Sequence, residues 1–159
     1  MKGFTPDLFD RLLGQPQRNG VVVARLNVEE LKDAVARDLE ALLNTRSTIQ
    51  DGALAVFPEC GRSMVGYGLC DFADRSLSSP TDRAHICACI ENTIARHEPR
   101  LQKVKALLEM QDDGGAPSVN RLGFSITAVL VGSMSEEPVN FDAVLQPSTL
   151  QYSIRKAGR

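Results

Sequence analysis

The sequence predicts an α+β fold, with N-terminal helices packed on one face of a C-terminal four-stranded, mainly antiparallel sheet. Three observations carry this. Before Glu98, apolar residues recur at helical spacing. After Leu101 they alternate, the period of a half-buried strand. The alternating runs also follow one another with no helical stretch between them, which suggests a meander rather than parallel crossovers. A length of 159 residues fits one domain spanning 1–159. A hydrophobic content of 43% is enough for a core and argues against wholesale disorder.

Taken in order, Thr5 can cap a short opening helix, with Pro6 at its first position and Gly14 at its end. Residues 15–20 read as a loop, so 1–20 form an N-terminal helix and loop. Asn27 followed by Glu30 has capping-box spacing. Val28, Leu31, Val35, Leu39 and Leu42 then make one apolar stripe, which carries a helix to about Asn44 or Thr45. Residues 46–79 are the least regular part, because Pro58, Gly61, Gly66 and Gly68 break every period. So long a connection is either functional or packed by its own side chains. Ser79 and Pro80 open a second long helix, with Ile86, Cys87, Ile90 and Ile94 inward. It ends near His97, because the residue before Pro99 is pushed out of the helical region.

In the first strand Val104, Ala106, Leu108 and Met110 share one parity, opposed by Lys103, Lys105 and Glu109. Asp112–Pro117 reads as a turn. Leu122, Phe124, Ile126, Ala128 and Leu130 form the second apolar set. Val139, Phe141, Ala143 and Leu145 form the third, and Leu150, Tyr152 and Ile154 the fourth. The basic tail 155–159 is expected to fray.

Composition excludes several functions. A net charge of −2 and a pI near 5.7 give no electrostatic case for nucleic acid or an anionic membrane. There is no Trp, and aromatic content is 5%, so base-stacking platforms are scarce. No stretch approaches the roughly 18 apolar residues of a spanning helix. Lys2, Asp7 and Asp10 interrupt the N-terminus, which has no signal-peptide pattern. A cytoplasmic chain without direct membrane insertion is therefore expected, with Cys60, Cys70, Cys87 and Cys89 reduced.

The most informative motif is Glu98-Pro99-Arg100-Leu101, at the one place where the period changes. In extended chain Glu98 and Arg100 project from one face, so they can pair or reach a common partner. Parity places Arg100 with Val104 and Ala106 on the core side, where a guanidinium needs acceptors. An internal ion pair stapling helix to sheet and a grip for a partner are both open on the residues alone.

The lysozyme-like label of the family that the chain's motif segments resemble, named below, implies an alternative from another class: a peptidoglycan hydrolase with Glu98 as general acid. It needs a second carboxylate roughly 5–10 Å away. Asp38, Glu40, Asp71 and Asp142 are available, but no spacing selects one. Arg100 beside Glu98 also favours the ionised carboxylate, the wrong state for an acid. His85, Cys87 and Cys89 look like metal ligands. On a helix, however, residues two apart point about 200° apart and cannot chelate one ion. No cofactor is implied. His97 suits a helix C-terminus when charged. Asp38, Glu40, Asn44 and Arg46 read either as a solvated face or as contact residues. Asp71 reads as a turn residue or cap.

Five segments in order resemble the TssE family of type VI secretion baseplate wedge subunits, which belongs with a phage tail-baseplate family carrying a lysozyme-like label. They are Phe4, Pro6 and Leu8–Leu13; Glu30-Leu31 through Arg46, with its Leu-Asn-Thr-Arg end; Tyr67-Gly68-Leu69 with Asp71; Glu98-Pro99-Arg100-Leu101; and Pro138–Asp142. The resemblance implies a structural subunit without turnover. It places Glu98, Pro99, Arg100 and Leu101 in a contact that holds the subunit in the baseplate and supports sheath assembly. The implied partners are the wedge subunits TssF and TssG, with TssK as a further candidate, and the sheath pair TssB and TssC. The implied location is the cytoplasmic side of a membrane-docked baseplate. A sheet edge between Leu122 and Ile154 would accept the first sheath strands.

Overall fold

The computed structural model describes residues 27–49, 52–61, 63–72, 74–76, 79–109, 122–131, 136–146, 149 and 151–157. The expected opening helix, the loop at 15–20, the Asp112–Pro117 turn, Met110 and Leu150 lie outside them.

Helix α1 spans Val28–Asn44. Its capping box is closed: Asn27 Oδ1 accepts the Glu30 N–H at 2.8 Å, and Glu30 Oε2 accepts the Asn27 N–H at 2.7 Å. Two otherwise orphaned donors are thereby satisfied. Asn27→Ala is expected to cost about 1 kcal/mol, read as a lower urea midpoint. The apolar stripe is buried at Leu31, Val35, Leu39 and Leu42, while Val28 is half-buried at the start. Ala34, Ala36 and Leu43 widen it.

The irregular stretch after α1 has structure of its own. A short helix α2 runs Pro58–Gly61, and a 3-10 turn runs Met64–Gly66. Arg46 and Leu69 form an isolated parallel bridge, with Leu69 N–H donating to Thr45 O at 2.8 Å and Ser47 N–H to Leu69 O at 3.0 Å. Leu69 is thereby fully buried in the main core. Helix α3 spans Pro80–His97, with Ser79 as its N-cap and Pro80 in the first turn. Ile86, Ile90 and Ile94 face inward as expected. Cys89 is the buried thiol, whereas Cys87 is only half-buried.

Strands β1 (Leu101–Glu109), β2 (Leu122–Leu130), β3 (Glu137–Gln146) and β4 (Gln151–Lys156) pair antiparallel in the order 1-2-3-4. The inward residues of β2, β3 and β4 are the alternating sets read from the sequence. The helices pack against the sheet, α1 on β4 and α3 on β1.

Two expectations are corrected. The ladder slips between Gln102 and Lys105, where Lys103 adopts a positive φ of 53°. This β-bulge resets the parity, so Leu101 and Val104, three apart, are both buried. Simple alternation therefore gave the wrong reason for turning Arg100 inward. The tail is also ordered further than expected. Lys156 Nζ pairs with Asp33 at 2.8 Å and Glu29 at 3.2 Å, and Ala157 N–H donates to Asn140 O.

Both sheet edges are covered by helix side chains. At β1, Glu91 accepts the Ala106 N–H at 2.9 Å, and the Leu108 backbone is hydrogen-bonded to the Cys87 thiol. At β4, Glu40 and Asn44 bind the backbone of Ile154 and Tyr152.

Candidate functional site

The junction between α3 and β1 concentrates charge. Helix α3 stops at His97, and Glu98 is its C-cap, its N–H still bonded to Ile94 O at 2.8 Å. Pro99 then prevents helical continuation. Glu98 turns its side chain into the structure and is only 5% exposed. Arg100 meets it fork to fork, with Nε on Oε1 at 2.7 Å and Nη2 on Oε2 at 2.5 Å. The Arg100 N–H adds a third bond to Oε1 at 3.1 Å. The guanidinium also reaches α1, where Nη2 meets Asp38 Oδ2 at 2.5 Å. Glu98 first, and Asp38 after it, hold the Arg100 guanidinium more firmly protonated than usual, against a smaller opposing effect of burial. Such bidentate, charge-assisted bonds fix geometry as well as energy.

The sequence motif is thus brought together with Asp38, 62 residues earlier in the chain. Of its four residues, Leu101 is in the core, Glu98 is buried, Pro99 is exposed, and the Arg100 side chain is 26% exposed.

Tyr67 lies beside this cluster. Burial, then the negative charges of Asp38 and Glu98, raise its phenol above the ordinary range. Its ring meets His97 edge-on at 5.3 Å. His97 Nε2 lies 2.9 Å from Gly66 O, which assigns the proton to Nε2. Burial pushes the His97 imidazolium below the usual range, the Gly66 carbonyl opposes this, and Arg96 adds to it. The expected charged residue at the helix end is therefore a neutral ring pinning the 3-10 turn. Because the folded form resists protonation, the stability this ring provides is present above about pH 6.5, the ordinary histidine value. It is lost as pH falls below that. The urea midpoint of the wild type should fall more between pH 7.5 and 5.5 than that of His97→Gln. Parallel profiles would refute this role.

The polar residues at the end of α1 are partly solvated and also bond to other elements of the fold. Asp38 binds Arg100, and Glu40 and Asn44 bind β4. Arg46 donates to Leu43 O at 3.1 Å and lies over Phe72 and Tyr152, 5.6 and 5.9 Å from the ring centroids. Sequence reasoning singled out these residues without finding their partners, because bonds to a distant backbone leave no spacing signal.

The hydrolase alternative finds no support in this geometry. Both Glu98 oxygens are occupied by Arg100, and Asp38 shares the same cation instead of facing Glu98 across a cleft. A groove of about 650 Å³ between α3 and the connection before it is lined by Ser47, Pro58, His85, Asn92 and Arg96 among others, with no carboxylate and no Phe or Tyr among the described lining residues. His85 Nε2 and Cys89 Sγ are 3.5 Å apart, one helical turn, while Cys87 turns to β1. Burial pushes the Cys87 thiol up, which favours the protonated form over the thiolate. No helix among the described residues is long and apolar enough to cross a membrane.

The Glu98–Arg100–Asp38 cluster ties the start of β1 and the end of α3 to α1. The chain belongs to the family of the baseplate wedge protein gp25, whose profile matches residues 29–134. That span includes the Asp38–Arg46, Tyr67–Asp71 and Glu98–Leu101 segments, while the opening segment and Pro138–Asp142 lie outside it. A structural role in a baseplate follows from the family. No curated protein sequence matches the chain.

Proposed function

We propose that this chain is a TssE-type wedge subunit of a type VI secretion baseplate. It assembles with TssF and TssG, and with TssK near them, on the cytoplasmic side of a membrane-docked baseplate. There it anchors or initiates polymerisation of the TssB–TssC sheath. Glu98, Pro99, Arg100 and Leu101 form the contact region: Arg100 and the exposed Pro99 reach the partner, Glu98 aims the guanidinium, and Leu101 anchors the segment in the core. The observation that carries the reading is the family match over these motif segments. A second feature favours an assembly role. Val56, Phe57, Met64 and Val65 are 57–82% exposed on the connection between α1 and α3. Large exposed apolar side chains, where they adjoin, mark interaction surfaces.

The test is co-expression with TssF and TssG, followed by affinity purification and size exclusion. Wild type is compared with Arg100→Ala and with the double variant Glu98→Gln/Arg100→Met. A stable wild-type complex, lost in the folded double variant, is expected. A complex that survives the double variant would make the motif an internal staple only. A wild type that joins neither TssF nor TssG would overturn the wedge reading.

A further inference from the structure

Helix α3 presents a polar stripe to the groove beside it. His85, Cys89, Asn92 and Arg96 follow at spacings of four, three and four, which places them on one face of the helix. Thr93 stands beside them, and all of these line the groove of about 650 Å³ between α3 and the connection before it. Elsewhere in the fold, polar side chains that face another element are bonded to it: Glu91 to Ala106, Glu40 and Asn44 to β4, Asp38 to Arg100. The stripe differs. His85 and Cys89 meet each other, Nε2 to Sγ at 3.5 Å. Asn92, Thr93 and Arg96 make no side-chain hydrogen bond or salt bridge with any other described residue.

Arg96 and Asn92 are exposed, so water can serve them. Thr93 is only 8% exposed. A threonine on a helix can turn its hydroxyl to the carbonyl four residues back, as Thr45 does to Ala41 O at 2.9 Å. Thr93 leaves that bond unmade and still lines the groove. A hydroxyl so enclosed is costly unless a group in the groove meets it.

The chemistry of the stripe is one-sided. Arg96 brings a positive charge and a fork of N–H donors, Asn92 an amide and Thr93 a hydroxyl. No carboxylate stands among the described lining residues to compensate the charge. A guanidinium beside neutral donors suits an oxyanion. The groove also exceeds what a bare ion needs, and its volume falls in the range of small-molecule sites, about 300–1,000 Å³. Half-buried Ile49 and Leu54 give it an apolar wall.

We propose that this groove is a binding site for an oxyanion carried on a small apolar body, a carboxylate or a phosphate ester. Arg96 is the charge partner, and Asn92 and Thr93 are the neutral donors. The opposite wall includes Pro58, Gly61 and Gly66, so a bound ligand braces α2 and the 3-10 turn against α3. The site does not depend on the baseplate role.

The test titrates the full chain, isotopically labelled for NMR, with phenyl phosphate, benzoate, inorganic phosphate and phenol. Phenyl phosphate and benzoate are expected to shift the Asn92 side-chain amide and the Arg96 Nε–H signals saturably. The tighter of the two identifies the oxyanion that the site takes, and the site stands with either. Inorganic phosphate should bind about ten-fold more weakly than phenyl phosphate, and phenol should not bind. Arg96→Gln, at an exposed position, should weaken the tighter ligand at least about ten-fold. Thr93→Val, which keeps the shape and loses the hydroxyl, should weaken it about three-fold. Asn92→Asp sets a carboxylate in the groove and should abolish binding. No saturable shift with either organic anion would overturn the proposal. So would equal binding of phenol, or binding unchanged in folded Arg96→Gln and Asn92→Asp.

Discussion

Replacing Arg100 with alanine is expected to destabilise the fold by about 3 kcal/mol. The cause is the carboxylate left behind. Glu98 is 5% exposed and would keep only the backbone N–H of residue 100, having lost both guanidinium donors. Removing one member of a buried pair typically costs about 3–5 kcal/mol, because the survivor is charged and unpaired. The Arg100 side chain is 26% exposed, so water reaches the site and the low end of that range applies. For a chain of this size the melting temperature should fall by about 6–12 °C. Glu98→Gln should cost less, since Arg100 keeps Asp38 and the amide keeps the shape. The double variant Glu98→Gln/Arg100→Met removes both charges together and should stay within about 1 kcal/mol of wild type. With Arg100→Met added as the matching single variant, thermal melts of wild type, Glu98→Gln, Arg100→Met and the double variant close a double-mutant cycle, with a coupling of at least about 1 kcal/mol expected. An Arg100→Ala melt within about 2 °C of wild type would show that Glu98 does not depend on the guanidinium. Because the single variant is destabilised, loss of complex in it says nothing about a partner. The double variant separates a contact from a staple.

Much of this architecture was legible in the sequence, for physical reasons tied to particular residues. The stripe from Leu31 to Leu42 and the Asn27–Glu30 box define α1, and Ser79-Pro80 and Pro99 bracket α3. The alternating sets in β2, β3 and β4 have one buried and one solvated face, which a one-residue slip would invert. What was not legible depends on chain crossings. The bulge at Lys103 has no glycine or asparagine to announce it, so counting parity back from Val104 turns Arg100 inward for the wrong reason. Asp38 was visible as a carboxylate, but nothing in the sequence joins it to a residue 62 positions away. Glu40 and Asn44 address backbone 114 and 108 positions on, and a backbone amide has no residue-type signature. The stretch 46–79 was opaque because the regularity of its described residues is a single turn at a time, at Pro58–Gly61 and Met64–Gly66.

Gly68 is where those contacts are least forgiving, and Gly68→Ala is expected to cost at least about 3 kcal/mol. Its φ is +113°, a conformation that strains any residue with a Cβ by about 1–3 kcal/mol. Space is also absent. A Cβ there would lie 2.7 Å from Thr45 O and 3.0 Å from Ser47 N, both backbone atoms that cannot rotate aside. The same carbonyl accepts the Leu69 N–H, so the clash falls on the bridge that seats Leu69 in the core. Displacing that bridge would also move Arg46 away from the Phe72 and Tyr152 rings. Gly52 is the control, with a φ of +91° and no atom within 4 Å of where a Cβ would stand. Gly52→Ala should therefore show backbone strain alone, about 1–2 kcal/mol. Urea unfolding of the two variants distinguishes the contributions: a clear gap in midpoint, with Gly68→Ala the lower, is expected. Equal losses would mean that the Thr45–Leu69 bridge yields easily, and the Tyr67-Gly68-Leu69 segment would then be conformationally required but not packed against α1.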